Sequence, residues 1–152
     1  MASRTFEHLA DLAALEGQAI GTSDWTLVDQ PRIDQFAQAT GDAQWIHVDA
    51  ARAAEGPFGA TIAHGFLTLS LLSQLVVSAF RVADVRLGLN YGLDRVRFPS
   101  PVPVGSRLRA HCRLLKFEPI DGGAQLTIEM SVECEGGAKP ACVAQWVTRH
   151  FV

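Results

Sequence analysis

The sequence predicts an α+β fold in which an antiparallel sheet packs around one buried helix. Helical apolar periodicity lies before position 81, and alternating apolar and polar residues bounded by turn residues follow from position 85. Helices first and strands afterwards are typical of this fold class. The 152 residues are 48% hydrophobic and only 19% charged, which is enough apolar material for a sizeable core. No internal repeat or linker divides the chain, so we expect one domain over residues 1–152.

Three short elements are predicted at the start of the chain. Weak helical periodicity covers residues 6–15, and the apolar run at residues 25–28 predicts a short strand. Pro31 suits the first turn of a helix, because its missing N–H is not needed there, and Gly41 suits the end of that helix.

The next segment leads into the buried helix. A polar loop over residues 42–45 precedes a short helix predicted over residues 49–54, with Asp49 as its N-cap. Residues 65–80 are apolar on nearly every side of a helix, and such a helix is normally enclosed by protein. Residues 56–80 carry no Asp, Glu, Lys or Arg, but Gly, Pro, Ser and His interrupt them. The apolar part is therefore too short and too polar for a membrane span.

Alternating residues in the second half of the chain predict an antiparallel sheet. Four strands are expected, over residues 85–98, 106–117, 124–134 and 141–152. The connections 118–123 and 135–140 contain the Gly and Pro residues that hairpin turns use. Three prolines between positions 99 and 103 separate the first strand from the second.

Charge and cysteine content exclude several classes of protein. Thirteen Lys and Arg against sixteen Asp and Glu give a formal net charge of -3, which does not suit a nucleic-acid partner. Cys112, Cys134 and Cys142 are an odd number without a CxxC pair, so neither a disulfide framework nor a metal site is expected. The first residues lack the apolar stretch of a signal peptide. These features predict a cytoplasmic protein.

Asp42 and His47 form the first candidate site. They lie five residues apart, where the helix ending at Gly41 gives way to a loop. A carboxylate and an imidazole can together orient and deprotonate one water molecule. A structural alternative is that Asp42 caps the following turn and His47 is a satisfied, half-buried side chain. On this pair alone the structural alternative is favoured.

A second candidate site lies where the buried helix begins. The glycine-rich residues 56–65 end in His64 and Gly65. Glycine lets a ligand approach backbone N–H groups at a helix start, which suits the binding of developing negative charge. The alternative is that Gly65 merely allows close packing. Ser73 follows Gly65 by eight residues, a little over two helical turns.

Together these residues resemble the MaoC-like (R)-specific enoyl-CoA hydratases of the hot dog fold. That family's signature is Gly-Asp-x-Asn-Pro-aliphatic-His, followed by His-Gly and a helical serine. The matching residues here are Gly41, Asp42, Ile46, His47, His64, Gly65 and Ser73. The resemblance runs from about Trp25 to the end of the chain. Gln44 and Trp45 replace Asn-Pro, and together with residues 56–70 and 90–99 they resemble the NodN-like (nodulation protein N) branch.

The resemblance implies a reversible addition of water to a trans-2-enoyl-CoA, giving an (R)-3-hydroxyacyl-CoA in fatty acid metabolism. Asp42 and His47 would hold the water, either one acting as the base, and His64 and Gly65 would form the oxyanion and substrate-binding site. Ser73 would fix the hydrated loop or the Asp42 side chain, with back-bonding inside the helix as its alternative. Coenzyme A is part of the substrate, so no separate cofactor and no metal are implied.

The resemblance also implies a homodimer whose two sheets join edge to edge, in agreement with the low charge content. The cations that could meet coenzyme A phosphates are Arg95, Arg97, Arg107, Arg109, Arg113 and Lys116, most of which we expect to be solvated. Trp25, Phe58 and Tyr91 are assigned to the core in preference to an acyl pocket.

Two other functions fit the same fold. An acyl-CoA thioesterase would place an acidic or amide side chain on the central helix, but residues 65–80 contain no carboxylate and only Gln74 as an amide. A non-catalytic acyl-thioester binding protein would be expected to lack Asp42 or His47, and both are present. The hydratase is therefore the preferred function.

Overall fold

The computed structural model describes residues 3–152 and contains a six-stranded sheet and a separate pair of short strands. The strands are β1 (Arg4–Phe6), β2 (Ala19–Thr22), β3 (Thr26–Val28), β4 (Phe80–Val82), β5 (Leu87–Arg97), β6 (Ser106–Ile120), β7 (Gly123–Cys134) and β8 (Cys142–Phe151). The helices are a 3-10 helix (Leu9–Leu15), α1 (Gln30–Thr40), α2 (Trp45–Val48), α3 (Ala50–Ala54), α4 (Gly65–Ser70) and α5 (Leu72–Ala79). The α+β class with an antiparallel sheet and a central helix is confirmed.

The large sheet has the order β2-β6-β7-β8-β5, with β3 paired to β6 beyond β2. All of its pairings are antiparallel. Every second residue of β7 is buried, as the alternation in the sequence predicts. The core between this face and the helices includes Leu75, Leu114, Leu126, Ile128 and Met130.

Strand β6 is longer than predicted. It extends through Pro119 to Ile120, so half of the expected connection 118–123 belongs to β6, and Gly123 already belongs to β7. Pro119 lies opposite Ala124 near the hairpin end, where loss of one N–H donor interrupts little of the ladder. The turn itself needs a positive φ, which Gly122 supplies at 74°.

The central helix departs from the prediction in two ways. It is two helical segments joined at Leu71, and Phe80 already belongs to β4. Leu72 and Leu75 are buried, whereas Phe66 and Val77 are 68% and 72% exposed. The expectation of enclosure on every side is therefore wrong for a single chain. The sheet covers one face of the helix and leaves an apolar face uncovered.

The first half of the chain confirms Gly41 and Asp49 as cap residues and corrects several elements. The Asp29 side chain caps α1, Gly41 ends it with φ 78°, and Asp49 caps α3 by accepting a hydrogen bond from the Arg52 N–H at 3.0 Å. Residues 6–15 are not one helix but the end of a strand followed by a 3-10 helix, and β2 and β4 were not predicted. Such short elements complete few repeats of any period, so periodicity does not detect them.

Strand β5 is an exposed, apolar sheet edge. It pairs with β8 on one side and with no other strand among residues 3–152. Leu89, Tyr91 and Leu93 on this strand are all exposed, so the assignment of Tyr91 to the core is wrong. Among the same residues, no helix is long and apolar enough to cross a membrane.

Candidate active site

His47 lies on α2 and is buried, with its ring held by one backbone carbonyl. Its Nδ1 is 2.7 Å from the Ile62 oxygen. Because a carbonyl oxygen can only accept, Nδ1 must carry the proton and donate it. In the neutral ring this leaves the Nε2 lone pair free to accept a proton from another group. The structural alternative described His47 as a half-buried and satisfied side chain. It is only partly correct, because the hydrogen bond to the Ile62 oxygen uses one of the two ring nitrogens.

His64 holds the Asp42 backbone. Its Nε2 is 2.9 Å from the Asp42 carbonyl oxygen, so Nε2 carries the proton. The His64 ring stacks on the His47 ring with centroids 3.9 Å apart and also contacts Phe36. Its Nδ1 is buried and has no hydrogen-bond partner within the described chain. His64 therefore joins the Asp42 loop to the His47 helix.

The Asp42 side chain is exposed at the edge of this cluster. Its Oδ1 is 3.4 Å from the Gln44 N–H, which is too long for a strong cap. Side-chain atoms of Asp42, His47 and His64 lie within 4.8 Å of one another. A gap of that size suits a single water bridging two polar groups. The fold thus brings together residues that are up to 22 positions apart in the chain.

The same three side chains could in principle bind a metal ion. A zinc ion needs ligand lone pairs that converge on one point at about 2.0–2.1 Å. The stacked His47 and His64 rings have centroids 3.9 Å apart and planes that differ by only 25°, so lone pairs lying in these two planes do not converge on one point close to both rings. One nitrogen of each ring is also directed at a carbonyl oxygen. The arrangement favours acid–base chemistry, and the absence of a metal stays a prediction.

His47 and Gly65 line the same cavity, which has a volume of about 330 Å³. Gly65 is the first residue of α4, so its N–H has no acceptor inside the helix. A Cβ at this position would lie 3.1 Å from the Phe98 ring, so close packing also favours glycine here. Phe58 lines the cavity and is 46% exposed, which contradicts its assignment to the core.

Ser73 lies elsewhere on the central helix. It is exposed on α5 and lines a groove of about 190 Å³ with Asn90 and Trp146. Within residues 3–152 its hydroxyl makes no hydrogen bond, so it neither contacts Asp42 nor back-bonds in the helix. Ser70 is the residue that back-bonds, to the Phe66 oxygen at 2.7 Å. The fold brings Asp42, His47, His64 and Gly65 together and leaves Ser73 in a separate groove of this chain.

Half of the cations predicted to meet coenzyme A are engaged by carboxylates. Glu135, Glu133 and Glu118 pair with Arg107, Arg109 and Lys116. Hydrogen bonds from Arg109 and then His111 hold the pKa of Glu133 below its usual value. These side chains alternate with the buried residues of β6 and β7, so their charge lies on the sheet face opposite the core.

Two features of the His47 loop were not predicted. Trp45, which replaces the proline of the family signature, packs under the Arg52 guanidinium at 4.4 Å and closely against Gly56. Gln30 donates a hydrogen bond to the His47 backbone oxygen at 2.8 Å. Periodicity carries no signal for such contacts, because each depends on how distant segments come together.

The chain matches the family described as MaoC like domain over residues 11–135. An antiparallel sheet around a central helix, with an Asp and His cluster at the helix start, is what the sequence resemblance implied. The chain belongs to the MaoC-like family and is a hydratase–dehydratase with the hot dog fold.

Two relatives show where in the family the chain lies. A protein of Mycobacterium tuberculosis named 3-hydroxyacyl-thioester dehydratase Z is 55% identical over 148 residues, which is 97% of this chain and 98% of the relative. Nodulation protein N of Rhizobium leguminosarum is 51% identical over 144 residues, or 92% of this chain and 89% of the relative. The predicted resemblance to the nodulation protein N branch is confirmed.

Solved structures confirm the fold. The MaoC-like dehydratase from Rhodospirillum rubrum superposes with a TM-score of 0.77 at 23% identity, over 96% of this chain and 97% of that one. The (R)-hydratase from A. caviae gives 0.70 at 23% identity, over 88% and 94%. At these identities the likeness establishes the hot dog architecture.

Proposed function

We propose that the protein is an (R)-specific enoyl-CoA hydratase, which adds water reversibly to a trans-2-enoyl-CoA to give an (R)-3-hydroxyacyl-CoA. The observation that carries this proposal is the cluster of Asp42, His47 and His64 within 4.8 Å, beside a cavity that Gly65 also lines. The name of the 55% identical relative supports an acyl thioester as the substrate class.

His47 is the better candidate for the base. Its Nδ1–H is held by the Ile62 carbonyl, so the Nε2 lone pair is free to take a proton from water. The exposed Asp42 carboxylate would hold that water as its oxygen forms a bond to C3 of the substrate. The proton that His47 has taken is then delivered to C2 from the same face, which completes the addition and returns the ring to its neutral form. Both side chains act on one water, so loss of either should slow the reaction.

In this proposal the Gly65 N–H stabilises the negative charge that moves onto the thioester oxygen. Its N–H has no intrahelical acceptor, and it lines the same cavity as His47. An N–H donor that is already oriented toward a developing oxyanion stabilises the transition state more than the ground state. His64 contributes by holding the Asp42 loop beside His47, because its Nε2 donates to the Asp42 carbonyl oxygen and its ring stacks on the His47 ring.

Turnover of enoyl-CoA esters tests the proposed function. With crotonyl-CoA and longer trans-2-enoyl-CoA substrates, we expect the ultraviolet absorbance of the conjugated enoyl thioester to fall without release of free coenzyme A thiol. Thiol release would instead indicate the thioesterase, and tight binding without either change would indicate a non-catalytic binding protein.

We also propose that the protein forms a homodimer through β5 and works in the cytoplasm. The unpaired β5 edge carries Leu87, Leu89 and Leu93, and an uncovered apolar edge of this kind favours pairing with another strand. A second copy of the chain would cover it and the exposed face of the central helix. The cysteines of the described chain are free and buried, which suits a reducing compartment.

Light scattering should give a mass twice that of the 16.4 kDa chain. Leu89→Glu should shift the protein toward the single chain, because it places a charge on the proposed interface. Leu27→Glu is the matched control, since Leu27 on β3 is 50% exposed and Leu89 is 47% exposed. A single-chain mass for the wild type, or equal dissociation by both variants, would contradict the β5 interface.

A further inference from the structure

The side chain of Gln30 bonds to three groups around His47. This first residue of α1 donates from Nε2 to the His47 backbone oxygen at 2.8 Å and to Asp34 Oδ1 at 2.8 Å. Its Oε1 accepts a hydrogen bond from the Thr61 hydroxyl at 2.6 Å. Thr61 is 2% exposed. Both amide protons and the amide oxygen are therefore used.

These bonds hold both partners of the hydrogen bond that sets the His47 tautomer. The His47 ring donates to the Ile62 oxygen, and Thr61 directly precedes Ile62. Gln30 thus fixes the backbone of His47 on one side and the segment that supplies its acceptor on the other. The Ile62 N–H also donates to the Ile46 oxygen at 3.0 Å, which keeps the two segments side by side.

Helix α2 needs such support. It has only four residues, and a helix this short is not stable without external contacts. We infer that Gln30 is a positioning residue that holds His47 and its Ile62 acceptor in register. This inference rests on the proposed catalytic role of His47. Gln30 itself does not line the cavity.

Gln30→Glu removes both N–H donors and keeps an acceptor for Thr61. We expect kcat on crotonyl-CoA to fall by about tenfold to a hundredfold, because a small misplacement of a catalytic group has effects of this size. KM should change by less than about threefold, since substrate binding does not involve Gln30. Gln35→Glu, an equal change at an exposed position of the same helix, should keep wild-type activity.

A double variant separates positioning from simple stability. Gln30→Glu places a second carboxylate beside Asp34, which should lower the denaturation midpoint. Adding Asp34→Asn removes that repulsion and supplies an amide donor to the introduced carboxylate. The midpoint should then recover while kcat stays low, because the His47 oxygen still lacks its donor. Recovery of both midpoint and kcat would overturn the inference.

The ring nitrogens of His47 give a readout independent of turnover. In ¹⁵N spectra of the neutral ring, the wild type should show a protonated Nδ1, and Gln30→Glu should show a mixture of tautomers. Wild-type kcat and an unchanged His47 spectrum in Gln30→Glu would overturn the positioning role. Full activity in His47→Gln would instead remove the catalytic role on which the inference rests, so the two failures are distinguishable.

Discussion

Replacing His47 by Gln should lower kcat on an enoyl-CoA substrate by about 10² to 10⁴, the range for loss of a general acid–base group. Glutamine can still donate a hydrogen bond toward the Ile62 oxygen, but it has no basic nitrogen to take a proton from water. Asp42→Asn should cause a loss in the same range, since the substitution keeps the shape of the side chain and removes its charge.

Matched variants test whether these losses are local. His111→Gln changes an exposed histidine on the opposite face of the sheet, and Asp49→Asn keeps an N-cap because Asn caps helices as well as Asp does. Both controls should retain wild-type kcat. Steady-state rates with saturating crotonyl-CoA provide the measurement. Full activity in His47→Gln or in Asp42→Asn would exclude that residue from acid–base chemistry.

Gly65→Pro should lower kcat on the order of a hundredfold or more, because it deletes the one backbone N–H assigned to the thioester oxygen. The substitution suits the backbone, since Pro is favoured at the first position of a helix. The preceding residue, His64, has φ -58° and ψ 138°, the extended region that a residue before proline prefers.

Gly65→Ala is the control for steric effects. Either substitution introduces a Cβ that would lie 3.1 Å from the Phe98 ring, so alanine reproduces the contact that the proline Cβ makes with that ring. Alanine keeps the N–H. The ratio of the two kcat values, measured with thermal denaturation to confirm folding, therefore reports on the hydrogen-bond donor. A ratio near one would show that the Gly65 N–H does not act on the oxyanion.

The sheet and the cap residues were predictable because each depends on local sequence. Strand β7 alternates between buried and half-buried residues throughout, and one-sided burial leaves only one register for such a pattern. Asp49 and Gly41 were identified because capping needs one side chain or one positive φ at a helix end. The spacing of Asp42 and His47 made them a candidate pair, and their assignment to catalysis came from the family resemblance.

The remaining features depend on contacts between distant segments. The stacking of His64 on His47 and the bridge from Gln30 to Thr61 link positions that no period relates. Ser73 was predicted to lie near Asp42 from its position along the helix, but it lies in a separate groove. A helical offset from Gly65 does not specify which face of the helix the site occupies. The exposed face at Phe66 is apolar, so composition alone could not distinguish a core from an interface.

Chiral analysis of the product formed from a trans-2-enoyl-CoA tests the account most directly. Attack of water from one face of the substrate predicts a single stereoisomer, which the proposed function identifies as the (R)-3-hydroxyacyl-CoA with its thioester intact, and loss of that product in His47→Gln. An (S) product, release of free coenzyme A, or an unchanged yield in His47→Gln would contradict it.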